Sequence, residues 1–128
     1  MGTVLWVALG SALGGVARYG CSGLMARTIG ETFPWGTLFV NVLGSLLIGL
    51  VATVSAPEGR WLLSMEARQF LMVGVFGGFT TFSSFSLQTL NLLQDGEWLY
   101  SGVYIVGSVV LCLVGVWAGH ALGVVLNR

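Results

Sequence analysis

The chain of 128 residues carries little charge: Asp, Glu, Lys and Arg make up only 8% of it, against about 25% in a soluble domain. It contains no lysine, and five arginines balance five acidic residues, so it offers nucleic acid no basic surface. A hydrophobic content of 55% and a mean hydropathy of +0.90 exclude an ordinary soluble domain. The sequence therefore predicts an integral membrane protein that is surrounded by lipid and has no nucleic-acid partner.

Reactive groups are equally scarce. The two cysteines, Cys21 and Cys112, lie far apart in apolar segments, so no disulfide framework is implied. No nucleophile–base pair and no cluster of metal-ligating side chains is apparent, which argues against an enzyme. No basic segment precedes the first apolar stretch, so we expect no cleaved signal peptide.

Four apolar stretches are long enough to cross a bilayer, since a helix needs about 20 residues to do so. We predict an all-α membrane protein in which residues 1–128 form a single four-helix transmembrane domain. The predicted spans are residues 4–25, 35–54, 68–93 and 98–126. An even number of spans places both chain ends on one side, and the arginines give only a weak positive-inside bias. The sequence therefore permits insertion in both orientations.

The third span contains a stretch, GGFTTFSSFS at 77–86, that disfavours a helix. Adjacent glycines followed by hydroxyl residues weaken helix preference. Lipid cannot satisfy the backbone groups that an interruption frees, so the interruption must be buried in protein or line a polar path. We predict that the third helix is broken at its centre and that the break marks a binding or permeation site.

The polar side chains inside the spans are mostly hydrogen-bond donors. Thr37, Asn41 and Ser45 share one face of the second span, and Tyr104 and Ser108 begin a hydroxyl track on the fourth. Each of them would also suit an interhelical hydrogen bond that holds helices together. No Asp, Glu or Lys lies within a span, whereas proton-coupled transporters and cation channels generally use such groups. This inventory favours an anion.

Arg18 is the one charge clearly inside a span, about 21 Å along the helix from Val4 at 1.5 Å per residue. Two interpretations are open for its side chain. It snorkels to the interface, or it makes an aqueous vestibule attractive to anions.

Phe79, Phe82 and Phe85 recur at every third residue of the interrupted stretch. This spacing is ordinary for side chains that face a core or lipid. A benzene ring nevertheless has a positive edge that a small anion can approach. The hydroxyls of Ser83 and Ser84 lie next to these rings in the sequence and would replace lost water.

Four helices pack around their own side chains and leave little room for a conduit. We therefore expect an oligomer, most simply a dimer, since two-fold closure is the commonest symmetry. Two glycine stripes would serve as contact faces, either within one chain or between chains. They are Gly10 and Gly14 on the first span, and Gly115, Gly119 and Gly123 on the fourth.

Three elements of the sequence resemble the signature of the Fluc fluoride channels, also called CrcB proteins. They are GGVARY at 14–19, PWGTLFVN at 34–41 and the stretch at 77–86. The resemblance implies a dual-topology antiparallel homodimer in the cell membrane, with two pores through which fluoride leaves the cytoplasm passively and its toxicity is relieved. It also implies a structural sodium ion at the dimer centre, bound by the backbone carbonyls of Gly77 and Thr80.

The resemblance further implies which side chains meet fluoride. Phe82 and Phe85 would line the path, one from each subunit, and Arg18 would stand at the vestibule. Cys112 departs from the pattern, because some family members continue the hydroxyl track there and a thiol is a weak donor. The predicted pore residues are Thr37, Asn41, Phe82, Ser83, Ser84, Phe85, Tyr104 and Ser108.

Two other functions are open on the sequence. A small proton-coupled drug exporter has a similar size and topology, but it needs a carboxylate within the membrane, commonly in the first span, and residues 4–25 contain none. A non-transporting assembly subunit would use its polar residues only to hold helices together. It would show no ion flux and no effect of sodium on dimer stability.

Overall fold

The computed structural model describes all 128 residues, and its secondary structure is helical throughout. Four helices are long and apolar enough to cross a membrane. They are α1 (Gly2–Thr28), α2 (Trp35–Val54), α3 (Met65–Gln94) and α4 (Trp98–Leu126). The four predicted spans are confirmed, with α2 and α4 beginning and ending at the predicted residues and α1 and α3 longer than predicted.

Local signals explain where the helices begin and end. Pro34 immediately precedes α2, where its fixed φ suits the start of a helix. Ser64 accepts a hydrogen bond from the Ala67 N–H (3.2 Å), so α3 begins three residues before the hydropathy pattern predicts. Gly30 and Gly96 adopt φ values of 101° and 76° in the turns that follow α1 and α3, a conformation that glycine adopts most readily.

The backbone of α3 changes character along its length. Gln69–Phe76 winds as a π-helix, and α-helical geometry follows over Gly77–Phe79. Thr80 (φ −85°, ψ 158°) and Thr81 (φ −153°, ψ 115°) are extended, and the α-helix Phe82–Gln94 follows. The predicted break at the centre of the third helix is not confirmed, because one span runs from Met65 to Gln94 and, within residues 77–86, only Thr80 and Thr81 leave helical geometry.

Glycines let α1 approach the first half of α3 (residues 65–79) backbone to backbone. A Cβ on Gly14 would overlap the carbonyl oxygen of Val75, and one on Gly78 would lie 2.6 Å from the carbonyl oxygen of Ser11. Gly10 and Gly74 meet in the same contact, with Gly10 Cα 2.9 Å from a Cβ built on Gly74. The first glycine stripe therefore packs within the chain.

The second stripe does the same between α2 and α4. A Cβ on Gly119 would overlap the Leu46 carbonyl oxygen, and one on Gly123 would lie 2.7 Å from Thr53 Cβ. Gly49 meets the Val116 carbonyl oxygen in the same way. All of these glycines are buried within a single chain. This packing favours the intramolecular interpretation of both stripes over a dimer seam.

Much of the apolar surface faces outward. Only 11% to 28% of each span's most apolar window is buried within the chain. The remaining surface is available to lipid or to a second copy of the chain.

Candidate functional site

A surface cleft of about 370 Å³ opens where Thr80 and Thr81 interrupt the helical backbone of α3. Residues of α2, α3 and α4 line it. Six of the predicted site residues meet there, together with Ser45 and Cys112: Asn41, Gly77, Thr80, Phe82, Phe85 and Ser108. The α-helix Phe82–Gln94 begins at this cleft, so the positive end of its dipole lies beside it.

Asn41 binds both backbone groups of Thr81. Its Nδ2 donates to the Thr81 carbonyl oxygen (3.1 Å), and its Oδ1 accepts from the Thr81 N–H (2.7 Å). Lipid could not satisfy these groups, so the side chain makes the extended backbone tolerable at membrane depth. An amide nitrogen has two hydrogens, and this arrangement leaves one Nδ2 hydrogen free for another acceptor.

The interruption removes the usual hydrogen-bond partners of two carbonyls. In a continuous α-helix the N–H groups of Thr81 and Ser84 would bind the carbonyls of Gly77 and Thr80. Here the Thr81 N–H donates to Asn41 Oδ1, and the Ser84 N–H donates to Thr81 Oγ1 (3.2 Å). The two carbonyl oxygens for which the family resemblance implies sodium binding therefore lose their regular partners, and oxygens are the ligands that hard cations prefer.

Ser83 and Ser84 lie outside the lining of the cleft. Both stay close to Thr81, whose Oγ1 lies 3.3 Å from Ser83 Oγ and donates to Ser84 Oγ at 3.2 Å. Thr81 is the N-cap of the following helix. The structure thus places these two serine hydroxyls in a local cap.

The phenylalanines of the interrupted stretch occupy three different environments. Phe79 is buried and does not line the cleft. Phe82 is 78% exposed, whereas Phe85 is half-buried and packs against it with ring centroids 5.4 Å apart. Phe85 also packs against Tyr104, at 5.0 Å and 54° between the ring planes. Only two of the three rings therefore reach the cleft.

On α4, the two predicted hydroxyls differ. Tyr104 is fully buried, and its hydroxyl donates to Gln88 Oε1 (2.7 Å). Ser108 is 6% exposed, lines the cleft, and has a buried hydroxyl without any hydrogen-bond partner. Buried polar groups are nearly always paired, so the Ser108 hydroxyl is still able to form a hydrogen bond with a further group. Cys112, one turn further, also lines the cleft.

A second cavity, of about 850 Å³, lies between the end of α1, the start of α2 and the end of α3. Its lining includes the predicted residue Thr37 as well as Gln88 and Arg27. Arg18 is half-buried and is absent from the lining, so the arginine at this cavity is Arg27.

Two residues that line these cavities, Gln88 and Thr81, were not predicted as site residues from the sequence. Gln88 follows Ser84 by four residues, which places both on one helix face, and this spacing was the available signal. Thr81 lies in the stretch at 77–86, and its role depends on Asn41, a residue forty positions away. No pattern of neighbouring residues predicts such a contact.

The four helices define a multi-pass membrane protein, and its largely apolar cleft contains a few hydrogen-bond donors such as Asn41 and Ser108. Comparison with known proteins narrows this class. The chain matches the family model described as CrcB-like protein, Camphor Resistance (CrcB), over residues 5–120. The chain belongs to this family, and the resemblance seen in its motifs is confirmed.

Relatives share nearly the full length. A protein of Opitutus terrae named fluoride-specific ion channel FluC is 62% identical, covering 99% of this chain and 96% of the relative. Proteins of the same name from Paramagnetospirillum magneticum and Rhodospirillum rubrum are 56% and 55% identical, each over 98% of both chains.

Proposed function

We propose that this chain is a fluoride-selective channel. Its relatives carry that name, and the cleft supplies the chemistry. The observation that carries the proposal is the buried, unpartnered hydroxyl of Ser108 in a cleft shared with Phe82 and Phe85. Fluoride is strongly hydrated, so a path for it must replace water with donors without holding the ion too tightly.

The donors at the cleft suit a small anion. Ser108 offers its hydroxyl hydrogen, and Asn41 keeps one amide hydrogen after binding Thr81. The positive end of the Phe82–Gln94 helix adds a favourable field. Chloride is larger and gains less from short hydrogen bonds, so the same donors discriminate against it.

The rings of Phe82 and Phe85 complete the path with their positive edges. Both rings line the cleft and are tilted by 50° to one another. Tyr104 packs against Phe85, and its hydroxyl must leave Gln88 before it can donate to an ion. Arg18 lies within α1 as a half-buried positive charge that attracts anions toward the path.

The channel acts as a dual-topology antiparallel homodimer with two pores. The open cleft and the 78% exposure of Phe82 support a second copy that covers this face. A cysteine added next to Asn127, in a chain with Cys21 and Cys112 replaced by Ala, tests the topology. Labelling from both sides of sealed vesicles is expected, and labelling from one side only contradicts the antiparallel arrangement.

A structural sodium ion binds at the centre of this dimer. The carbonyls of Gly77 and Thr80 are suited to hold it because each has lost its helical N–H partner, and the second copy would supply an equal pair. The ion supplies positive charge that fixes the two interrupted segments against each other. We expect the purified dimer to dissociate at a lower detergent concentration in choline chloride than in sodium chloride. Equal dissociation in both salts rules out this ion.

The physiological role rests on the resemblance to the fluoride channels, and acid–base chemistry gives its reason. Hydrogen fluoride crosses membranes as a neutral molecule and ionises inside the cell, where the anion is trapped. A passive channel in the prokaryotic cell membrane lets fluoride leave down its electrochemical gradient and relieves its toxicity.

Fluoride and chloride efflux from liposomes tests the proposal. Phe82→Ile and Phe85→Ile are expected to abolish fluoride efflux while the protein still purifies as a dimer. Phe39→Ile is the matched control, because Phe39 lies on α2 outside the cleft and is 42% exposed. Full efflux in both test variants removes these rings from the mechanism, and no efflux from the unchanged chain refutes the channel.

The assembly-subunit alternative has one observation in its favour, since Asn41 does hold α2 to α3. It gives no reason for an unpartnered Ser108 hydroxyl in an open cleft. The efflux measurement separates the two, because an assembly subunit transports no ion.

A further inference from the structure

Phe33 lies in the connection between α1 and α2 and belongs to neither helix. Its ring packs against Trp35, with centroids 4.7 Å apart, and near-perpendicular to Tyr100 at 6.2 Å and Tyr104 at 5.4 Å. The backbone turns tightly here, since the Trp35 N–H donates to the Phe33 carbonyl oxygen (2.8 Å). Three rings and a turn therefore fix the position of the Phe33 ring.

This ring connects the two cavities. Phe33 lines the larger one together with Thr37 and Gln88, while Phe85 lines the cleft. Tyr104 lines neither cavity, is fully buried, and contacts Phe33 on one side and Phe85 on the other. Phe33, Tyr104, Phe85 and Phe82 thus form a continuous row of ring contacts from the larger cavity to the cleft.

Anchoring at the membrane surface is the ordinary role for an aromatic residue in such a connection. Trp35, Trp61 and Trp98 suit that role, with 43%, 59% and 72% of their surface exposed near helix ends. Phe33 differs, because it is half-buried and its ring contacts a residue with no exposed surface.

We propose that Phe33 is a positioning residue of the pore. It holds the Tyr104 ring so that Phe85, which packs against that ring, keeps its place at the cleft. Phe33 acts through Tyr104 and does not touch the ion in the cleft. This inference rests on the proposed fluoride channel.

Fluoride efflux from liposomes tests the inference. Phe33→Leu keeps apolar volume but removes the ring, and it is expected to slow fluoride efflux by up to about tenfold, since an aromatic pair contributes about 0.5–1.5 kcal/mol. Phe33→Tyr is expected to retain most of the flux. Phe39→Leu is the control and should leave efflux unchanged. Normal efflux in Phe33→Leu overturns the inference, and Phe33→Met replaces that variant if it does not assemble.

A double-mutant cycle with Tyr104→Leu separates positioning from a general effect on folding. In the Tyr104→Leu background, Phe33→Leu is expected to cause no further slowing, because residues in contact couple. The same slowing in both backgrounds shows independent action and overturns the inference. Fluoride efflux from the unchanged chain tests the channel itself. If the unchanged chain conducts fluoride and Phe33→Leu conducts it equally fast, only the role of Phe33 is refuted. If the unchanged chain does not conduct fluoride, both the channel and the role of Phe33 are refuted.

Discussion

The two halves of α3 contact their neighbouring helices in different ways. Residues 65–79 lie against α1 mainly through glycines, where main-chain atoms make the contact, and Trp6 also packs against Phe70 with ring centroids 5.8 Å apart. Phe82–Gln94 lies against α4 through side chains, with Phe85 on Tyr104 and Gln88 on the Tyr104 hydroxyl. A main-chain contact leaves no space for an added side-chain atom, whereas the geometry of a side-chain contact can be changed by substitution. Both halves contribute residues to the cleft, Phe76 and Gly77 from the first and Phe82 and Phe85 from the second.

The largest effect is expected where the two halves join. Asn41→Leu leaves the N–H and carbonyl of Thr81 without partners, which costs about 2–6 kcal/mol, since each orphaned buried group costs about 1–3 kcal/mol. We expect loss of the folded dimer or a large fall in its thermal stability, measured by size-exclusion chromatography after heating. Ser45→Ala is the control, because the Ser45 hydroxyl donates only to the Asn41 carbonyl of its own helix. Equal stability of the two variants would contradict the bracing role of Asn41.

The next test breaks the main-chain contact of the first half. Gly14→Ala places a methyl group against the Val75 carbonyl oxygen, and we expect a loss of about 1–3 kcal/mol from overpacking. Gly15→Ala is the neighbouring control, because its methyl group meets nothing within 4 Å. It should match or exceed the parent, since alanine favours a helix over glycine by about 1 kcal/mol. Thermal unfolding in detergent ranks the three proteins, and a Gly14→Ala variant as stable as Gly15→Ala would disprove close contact.

A third test separates function from stability in the side-chain half. Ser108→Ala removes a hydroxyl that has no partner in the protein, so stability should stay the same or rise. Fluoride efflux should slow by about tenfold, the rate equivalent of one hydrogen bond. Ser101→Ala is the control, since Ser101 is equally buried and unpartnered but does not line the cleft. Identical efflux in the two variants would remove Ser108 from the path.

The smallest expected effect concerns the cap of the second half. Thr81→Ala removes the oxygen that accepts the Ser84 N–H, and loss of such a cap costs about 1 kcal/mol. Thr80→Ala is the comparison, because the Thr80 hydroxyl only donates back to the Phe76 carbonyl in the preceding turn. Thermal stability in detergent should fall more for Thr81→Ala. The reverse order would show that the Thr81 hydroxyl is not the important cap.

The sequence predicts the parts of this fold that depend on local chemistry. Pro34 and Gly96 bound α2 and α4, and span length follows from the thickness of the bilayer. The spacing of Gly115 and Gly119 identifies a contact face, but the identity of its partner helix requires the tertiary structure. The predicted start of α3, Arg68, lies three residues after the observed start at Met65. Ser64 caps the helix in a polar stretch, and hydropathy does not detect such a cap.

The candidate site likewise combines residues that local patterns predict with contacts that local patterns cannot predict. Asn41 and Ser108 were found from their polarity within apolar spans, which is a local signal. The bond from Asn41 to Thr81 joins residues forty positions apart, so periodicity within one helix cannot reveal it. The vestibule role of Arg18 stays a prediction, and the structure adds Arg27 as the arginine that lines the larger cavity, which depends on how the end of α1 packs against α2.

The seam between α2 and α4 has a mechanical consequence. Because Gly119 meets the Leu46 carbonyl and Gly49 meets the Val116 carbonyl, the two helices cannot slide along each other without a backbone collision. They behave as one rigid wall that carries both Asn41 and Ser108. Under the proposed function, we expect movement at the cleft to arise at Phe82 and Phe85 on α3 rather than within this helix pair.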